Sequence, residues 1–275
     1  MLVLGSHISA QGKNGIQDAI LHAEKIGANC LQIFVSNRVG RGTKKILKKE
    51  VDEISSMLAQ KKIILFIHSP YVINFAKEFS ESSWWIQLYK KELNIAHEIG
   101  AYGCVIHMGK GLGGDVDITN DLFISSIKYF AKHIIESNLT SKVILETPAG
   151  QGTEMYSTIE AFIKMYNSFS NEEKKVVKIC VDTCHVFSTN YNPEDYLVKI
   201  VDKVGIKNVC LIHLNDSKKD KGSCVDRHEN IGKGFIPHSS IVKVVKFAKE
   251  HHIPMILETP DIDLHAKEIA ELSKV

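Results

Sequence analysis

The sequence predicts a (β/α)₈ barrel, in which eight parallel strands close into a ring and a helix follows each strand. Short apolar runs rich in β-branched residues recur eight times along the chain, and segments with helical hydrophobic spacing separate them. Strict alternation of strand and helix implies right-handed crossovers and therefore a parallel sheet. The 275 residues suit one barrel, which takes about 250 residues. We therefore expect a single domain over residues 1–275.

Each predicted strand is an apolar run bounded by polar or glycine residues. In chain order the predicted strands are Leu2–Gly5, Cys30–Val35, Ile63–Ile67, Cys104–Ile106, Val143–Leu145, Ile179–Val181, Val209–Ile212 and Met255–Leu257. After each strand, apolar residues recur every three to four positions, which is typical of helices packed on a barrel. In chain order the predicted helices are Asn14–Ile26, Lys44–Gln60, Ser83–Ile99, Asn120–Glu136, Thr158–Ser168, Pro193–Val204, Ser239–His251 and Asp261–Ser273.

An open doubly wound sheet would show the same alternation, so the two folds must be distinguished at the strand ends. Such a sheet binds its ligand at one switch point, usually with a glycine-rich fingerprint after the first strand. Here the first strand leads into GSHISAQGKNG, which lacks GxGxxG. Polar residues instead close one strand after another, as expected where all the strands meet at the rim of a barrel.

Residue types that bind metals close six consecutive strands, the third to the eighth. These residues are His68, His107, Glu146, Asp182, His213 and Glu258. The residues two positions earlier point to the same face of each strand. All of them are apolar, namely Phe66, Val105, Ile144, Cys180, Leu211 and Ile256. We therefore expect the polar ends to converge at one mouth above a dry interior.

Burial of six imidazoles and carboxylates without partners would be costly, whereas divalent cations would satisfy them together. Three further candidates stand in loops: His185 in VDTCH, and Asp226 and His228 in VDRH. Nine histidine nitrogen and carboxylate oxygen donors suit two to three zinc ions with one shared carboxylate, and Mn²⁺ accepts similar donors at one or more positions. Clustered cations of this kind stabilise the displacement of a phosphoryl oxygen.

The composition is that of a globular protein, with 44% hydrophobic and 24% charged residues. Lys and Arg number 34 and Asp and Glu 32, so bulk charge alone indicates neither a nucleic-acid nor a membrane partner. Four of the six cysteines lie in apolar runs and none forms C-x-x-C, which favours a reducing compartment. The chain shows neither a signal peptide nor a membrane-length apolar run. We expect a soluble intracellular protein, cytoplasmic or associated with a nucleus or virion.

Other conspicuous features have ordinary structural interpretations. The segment GKGLGG at 109–114 is expected to be a flexible turn, and Cys184 to be a packing residue. The lysine-rich segments KKILKK and DSKKDK are typical of solvated faces. Six histidines lie on predicted helices and are expected at the surface: His22, His97, His133, His251, His252 and His265.

Six strings in the chain, in order, closely resemble the endonuclease IV family of apurinic/apyrimidinic endonucleases: GSHIS, ETPAGQG, VDTCHVF, HLNDSK, GSCVDRHENIGKG and LETP. The match runs from Gly5 to the last helix. The resemblance implies a barrel with three zinc ions that cuts DNA 5′ to an abasic site in base excision repair and leaves a 3′-hydroxyl and a 5′-deoxyribose phosphate. It also implies a secondary 3′-phosphodiesterase activity, and double-stranded DNA with abasic sites as the partner of a monomer.

Carried onto matching positions, the resemblance divides the nine candidates among three zinc ions. His68, His107 and Glu146 would hold one ion. Glu146, Asp182, His213 and Glu258 would hold a second, so that Glu146 is shared. His185, Asp226 and His228 would hold the third. Glu146 and Glu258 would be the catalytic residues, with Glu258 helping to orient or deprotonate the attacking water.

The resemblance also implies contacts to bent DNA, since an abasic nucleotide must leave the helix to reach a recessed mouth. The predicted DNA-binding residues are Tyr71, Arg38, Asn37, His7 and Arg227. Tyr71 in HSPYVINF matches a DNA-inserting tyrosine. The segment FVSNRVGRG departs from the family, and Arg38 or Arg41 would replace its usual wedge arginine. Cys224 stands where an arginine is usual, and Met108 where a proline is common.

Two other functions are compatible with such a barrel. A sugar isomerase or epimerase would hold one Mn²⁺ or Mg²⁺ with Glu146, Asp182, His213 and Glu258 alone, which leaves the other five candidates without a role. A non-catalytic DNA-damage binder would keep the barrel and use its metals structurally. Metal content and incision of an abasic strand distinguish the three functions.

Overall fold

Eight parallel strands form a closed barrel in the computed structural model, which describes residues 2–10, 15–37, 39–40, 42 and 46–275. In chain order the strands are β1 (Leu4–His7), β2 (Cys30–Ile33), β3 (Ile64–His68), β4 (Cys104–Ile106), β5 (Val143–Glu146), β6 (Val177–Asp182), β7 (Val209–His213), β8 (Asp216–Ser217), β9 (His228–Glu229) and β10 (Met255–Leu257). Around the barrel the order is β1-β10-β7-β6-β5-β4-β3-β2. Strands β8 and β9 pair antiparallel outside it. The predicted (β/α)₈ fold is confirmed.

Helices connect the successive barrel strands. In chain order they are α1 (Gly15–Lys25), α2 (Lys48–Lys61), α3 (Trp84–Ile99), α4 (Val116–Glu136), α5 (Ile159–Asn167), α6 (Glu173–Val176), α7 (Thr183–Ser188), α8 (Pro193–Val204), α9 (His238–His251) and α10 (His265–Leu272). The long helices bury one apolar stripe each, as Phe123, Ile127 and Phe130 do on α4. Within the described ranges, no helix has the length and apolarity needed to cross a membrane.

Strand β1 lies two residues later than the predicted Leu2–Gly5, and this shift brings His7 into the strand. The cause is the register with β2, in which Gly5 pairs with Cys30 and His7 pairs with Gln32. The close approach of the two strands also requires glycine at position 5. A Cβ atom there would lie 1.7 Å from the carbonyl oxygen of Cys30.

The helices differ from the prediction mainly at their ends. Helix α4 begins at Val116 instead of Asn120, because the Asp115 carboxylate accepts hydrogen bonds from the amides of Asp117 and Ile118, both at 3.0 Å. The short helices α6 and α7 and the β8–β9 pair are absent from the prediction. Helix α6 has four residues, α7 has six, and β8 and β9 have two each. These elements are too short to show a hydrophobic period.

An apolar plug fills the barrel below its mouth. The plug consists of buried, inward-facing side chains, namely Cys30, Phe66, Val105, Ile144, Cys180, Cys210, Leu211 and Ile256. All six residues predicted for the interior are among them, so the dry interior is confirmed. Because the plug lies beneath the polar strand ends, water cannot solvate those groups from inside the barrel.

Candidate metal centre

The nine predicted donor residues lie together at the C-terminal ends of the barrel strands. His68 ends β3, His107 follows β4, Glu146 ends β5, Asp182 ends β6, His185 lies in α7, His213 ends β7, Asp226 precedes β9, His228 begins β9 and Glu258 follows β10. All parallel strands of a barrel point their C-terminal ends to one rim. Residues spread over most of the sequence therefore become neighbours.

Three groups of these residues have donor atoms within 4.8 Å of one another. The first group is His68, His107 and Glu146; the second is Glu146, Asp182, His213 and Glu258; the third is His185, Asp226 and His228. Glu146 belongs to two of the groups, as the family resemblance implies. A fourth set at the same distance combines Asp182, Cys184 and His228. The geometry brings the predicted ligands together, and their binding of metal stays a prediction.

Glu146 lies at the centre of the arrangement and is 1% exposed. Its Oε1 lies 2.8 Å from Nδ1 of His213. Its Oε2 lies 3.4 Å from Nε2 of His68 and 3.4 Å from Nε2 of His107. One buried carboxylate thus faces imidazoles from three strand ends.

Backbone carbonyls orient several of the imidazoles. Nδ1 of His68 donates to the carbonyl oxygen of Ser69 at 2.8 Å, and Nδ1 of His185 donates to that of Thr147 at 2.8 Å. A carbonyl oxygen can only accept, so the proton of each neutral ring lies on Nδ1. The Nε2 lone pair of each ring then points into the cluster, as in metal-binding histidines.

The third group passes a test for a cation. Nε2 of His185 and Nε2 of His228 are buried, and neither has a hydrogen-bond partner in the described part of the chain. Both atoms nevertheless lie close to Oδ1 of Asp226, at 3.4 and 3.3 Å. Two ring nitrogens and a carboxylate oxygen that converge without hydrogen-bond geometry fit the donor set of a divalent cation such as zinc.

Electrostatics keep Glu146 and Glu258 ionised, whereas burial raises the pKa of Asp182 above its ordinary value. Burial acts to raise the pKa of Glu146, but the neighbouring His213 and His107 hold this pKa well below its ordinary value. Burial also opposes ionisation of Glu258, whose pKa is likewise held well below its usual range by His213 and His7.

Burial lowers the pKa of His107 to about 4, so this ring is neutral at pH 7. Burial opposes the charge on His185, but Asp182 and Asp226 raise the pKa of this ring well above its ordinary value. A metal would therefore have to displace a proton from His185, because only a neutral imidazole and an ionised carboxylate ligate metals.

Two cavities open at the mouth, and Tyr71 lines both. One has a volume of about 320 Å³ and is lined by residues of all three donor groups together with Lys77 and Lys110. The other has a volume of about 720 Å³ and is lined by residues that include His7 and Asn37. Tyr71, His228 and Glu258 line both cavities, so each cavity borders the candidate metal centre.

Comparisons with known proteins identify the family. The family model described as a xylose isomerase-like TIM barrel matches residues 20–274. A protein of Protochlamydia amoebophila named "Probable endonuclease 4" is 32% identical over 282 residues, which cover 99% of this chain and 98% of that protein. This chain belongs to the endonuclease IV family. The family that the sequence motifs predict is thereby confirmed.

Solved structures share the fold of this endonuclease IV family member. Endonuclease IV from Thermus thermophilus superposes with a TM-score of 0.82 at 21% identity, covering 98% of this chain and 97% of that chain. A D-tagatose 3-epimerase-like protein superposes with a TM-score of 0.77 at 17% identity. The match covers 100% of this chain and 96% of that chain. The barrel alone therefore does not distinguish a nuclease from an epimerase, and the side chains at the mouth must do so.

The predicted DNA-binding residues of this family member occupy different environments. Tyr71 is 53% exposed, and its ring packs edge-on against Phe34 and His107, with ring centroids 5.5 and 5.2 Å apart. Asn37 and Arg227 are exposed, as a contact to DNA requires. His7 lies deeper, with Nδ1 3.1 Å from Oε1 of Glu258, and so borders the candidate metal centre itself. Arg38 and Arg41 lie outside the described residues.

Sequence reasoning missed three polar residues that support the cluster, Gln32, Asn215 and Glu92. Nδ2 of Asn215 donates to Oδ2 of Asp182 at 2.7 Å, and its Oδ1 accepts from the amide of Glu258 at 2.8 Å. One side chain thus joins β6 to β10. The only available signal was a polar residue within or next to a buried strand, as in CLQI and LIHLN.

Three sequence interpretations concern residues other than the nine donors. The prediction that His265 lies at the surface is wrong, because its ring is 2% exposed and its Nε2 donates to the carbonyl oxygen of Thr259 at 3.0 Å. Residues 109–114, expected to form a flexible turn, are tied to neighbouring loops. Asn74 makes two hydrogen bonds with the backbone of Lys110, both at 2.9 Å. Cys184 is fully buried, as predicted for a packing residue.

Proposed function

We propose that this protein is a metal-dependent endonuclease that hydrolyses the DNA phosphodiester 5′ to abasic sites in base excision repair. The products would be a 3′-hydroxyl and a 5′-deoxyribose phosphate, with 3′-phosphodiesterase action as a secondary activity. The observation that carries the proposal is the set of three donor groups that share Glu146 at the mouth of an endonuclease IV family barrel. Double-stranded DNA with an abasic nucleotide is the proposed substrate.

The three donor groups match the charge and number of donors that three zinc ions need. His68, His107 and Glu146 would hold one ion, Glu146, Asp182, His213 and Glu258 a second, and His185, Asp226 and His228 the third. Zinc bound there would supply Lewis-acid stabilisation of the phosphate charge and would lower the pKa of the attacking water.

Glu258 is the side chain best placed to act on the water. Its Oε1 accepts a hydrogen bond from Nε2 of Gln32 at 2.7 Å, while its Oε2 lies 3.1 Å from Nδ1 of His213. The carboxylate lines both mouth cavities, so it reaches solvent and substrate. Because its pKa is held below the ordinary value, it is ionised near pH 7 and can accept a hydrogen bond that orients the water. Glu146, which is deeper, faces the rings of His68, His107 and His213 and would be shared by two ions.

The depth of the site accounts for a preference for abasic nucleotides. The carboxylates Glu146 and Asp182 are at most 1% exposed, so a phosphate flanked by stacked bases in a regular duplex cannot approach them. A nucleotide without a base leaves the stack at low cost and can enter the cavity of about 320 Å³. Tyr71 at the rim is positioned to contact the DNA that remains outside.

The direct test is incision of a labelled duplex that contains one tetrahydrofuran abasic analogue. We expect zinc-loaded protein to cut on the 5′ side of the analogue and to leave an end that a polymerase extends. Chelation should abolish the cut and zinc should restore it. The Glu146→Gln variant should lose at least about a hundredfold in incision rate, because an amide cannot share two cations. Glu136→Gln, at an exposed ion pair with Lys132, is the matched control.

Other outcomes would assign a different function. Absence of a cut by zinc-loaded wild type, with Glu146→Gln behaving identically, contradicts the proposal. Tight binding of abasic DNA without strand cutting would indicate a damage-binding protein. Elemental analysis separates the sugar isomerase: about three zinc ions per chain supports the nuclease, and a single manganese supports the isomerase.

A further inference from the structure

Gln32 is a fully buried amide on β2, a strand that contributes no residue to the three donor groups. Its neighbour two positions earlier, Cys30, belongs to the apolar plug, so both side chains point into the barrel. In the barrel order, β1 and β10 separate β2 from β7, where His213 lies. The Gln32 side chain therefore reaches across the interior to the opposite part of the candidate metal centre.

Three contacts fix the orientation of this amide. Nε2 of Gln32 donates to Oε1 of Glu258 at 2.7 Å and lies 3.0 Å from Nδ1 of His7. Oε1 of Gln32 lies 2.9 Å from Nε2 of His213. A carboxylate only accepts hydrogen bonds, so the amide nitrogen must face Glu258 and the amide oxygen must face His213. Because this oxygen also only accepts, Nε2 of His213 carries a proton.

We propose that Gln32 is a positioning residue that sets the tautomer of His213 and the orientation of the Glu258 carboxylate for metal binding. Nδ1 of His213 faces carboxylate oxygens, which only accept hydrogen bonds, so it also carries a proton here. Once a cation displaces that proton, the Nε2 proton held by Gln32 leaves the Nδ1 lone pair for the second donor group. Nδ1 lies 2.8 Å from Oε1 of Glu146, 3.1 Å from Oε2 of Glu258 and 3.7 Å from Oδ2 of Asp182. The same amide holds Oε1 of Glu258, which leaves Oε2 for the cation.

This role differs from that of the groups behind the other rings. His68 and His185 are oriented by backbone carbonyls, which no substitution removes. His213 is oriented by a side chain, so its tautomer depends on one replaceable residue. Removal of a hydrogen-bond partner that orients a metal ligand typically weakens metal binding 10- to 100-fold. The inference rests on the proposed metal-binding function of the second donor group.

The test compares Gln32→Met and Gln32→Glu with wild type, using zinc alone as the probe. Gln32→Met keeps the approximate volume and removes both the donor and the acceptor. We expect it to bind one of the zinc ions about 10- to 100-fold more weakly in chelator competition. In ¹⁵N-histidine NMR of the zinc-loaded protein, His213 should lose its single Nε2-protonated signature. Gln32→Glu keeps an acceptor for His213 and should retain that signature.

Asn208→Leu is the control for loss of a buried amide. Asn208 is 3% exposed, precedes β7 at the other end of the barrel, and hydrogen-bonds to Lys178 and to the carbonyl of Val204. We expect this variant to lose thermal stability without weakening zinc binding. If Gln32→Met does not fold, Gln32→Glu decides the inference. It should retain the His213 signature but bind zinc more weakly, because a carboxylate cannot donate to Oε1 of Glu258, and wild-type zinc affinity in it would overturn the inference.

Two outcomes are distinguishable. Wild-type zinc affinity and an unchanged His213 signature in Gln32→Met, or loss of that signature in Gln32→Glu, would overturn the role of Gln32 and leave the proposed nuclease intact. A wild-type protein that binds no zinc and cuts no abasic DNA would remove the proposed function itself.

Discussion

At the scale of single residues, Glu92 shows how a buried acid supports the candidate metal centre from behind. It lies on α3, is fully buried, and its Oε2 accepts a hydrogen bond from Oγ of Ser69 at 2.6 Å. Ser69 follows His68 directly, and its carbonyl holds the His68 ring. Burial raises the pKa of Glu92 from 4.5 to about 7, although the nearby hydroxyls of Ser36 and Ser69 oppose this shift. Its protonation therefore changes near neutral pH.

The Glu92→Gln variant should alter how stability depends on pH. Because the pKa of Glu92 is higher in the folded protein, the folded state binds the proton more tightly. The stabilising contribution is complete below about pH 4.5 and is lost as the pH rises through 7. We expect the difference in free energy of unfolding between wild type and Glu92→Gln to fall by up to about 3 kcal/mol from pH 5 to pH 8. Urea unfolding at both pH values measures it, and a constant difference would contradict the assignment.

At the scale of elements, a buried carboxylate holds the loop that follows His228. Asp216 on β8 accepts hydrogen bonds from the backbone amides of Gly232, Gly234 and Ile236, each at 3.0 Å. Strand β8 also pairs with β9, where Ser217 lies opposite His228. The loop and the strand that carries His228 therefore share one anchor. Close packing of this loop on β8 leaves no room for a side chain at position 234.

Gly234→Ala should displace this loop. A Cβ atom at Gly234 would lie 2.3 Å from the carbonyl oxygen of Ser217 and 2.4 Å from Oδ1 of Asp216, so backbone must move. We expect a loss of about 2 kcal/mol in the free energy of unfolding and weaker zinc binding, since β9 moves with the loop. Gly111→Ala is the matched control, because a Cβ there meets its nearest atom at 3.9 Å. Calorimetry measures the loss of stability, and zinc titration measures the weaker zinc binding. Equal behaviour of the two variants would refute the packing argument.

At the scale of the whole molecule, much of the barrel follows from patterns that repeat along the chain. The alternation of apolar runs and helical segments predicts all eight barrel strands, and the polar strand ends predict six of the nine residues that converge at the mouth. The other three, His185, Asp226 and His228, come from the loop motifs VDTCH and VDRH. Gln32 and Asn215 escape such reasoning because their partners His213 and Asp182 lie 181 and 33 positions away. A lone polar residue in an apolar strand shows no period, so its hydrogen bonds become visible only when the barrel closes.

The stability of the barrel depends on its apolar plug and its helical layer, whereas the stability of the mouth depends on the charged donor groups. The plug residues pack against one another and supply none of the donor atoms of the three groups, so the barrel can fold around them without a metal. The mouth gathers four carboxylates and five imidazoles, whose mutual interactions change most when cations bind. Metal should therefore act on the stability of the folded state more than on its secondary structure.

Removal of metal provides the corresponding test. A cation present at about a hundred times its Kd stabilises the folded state by about 2.7 kcal/mol per site. For a chain of this size we expect zinc to raise the Tm of chelator-treated protein by at least about 5 °C, while the far-UV circular dichroism at 20–25 °C stays the same. Asp226→Asn, which weakens one donor group, should reduce the increase in Tm without abolishing it. An unchanged Tm would contradict zinc binding at the mouth, and loss of the dichroism on chelation would contradict a barrel that folds around its apolar plug.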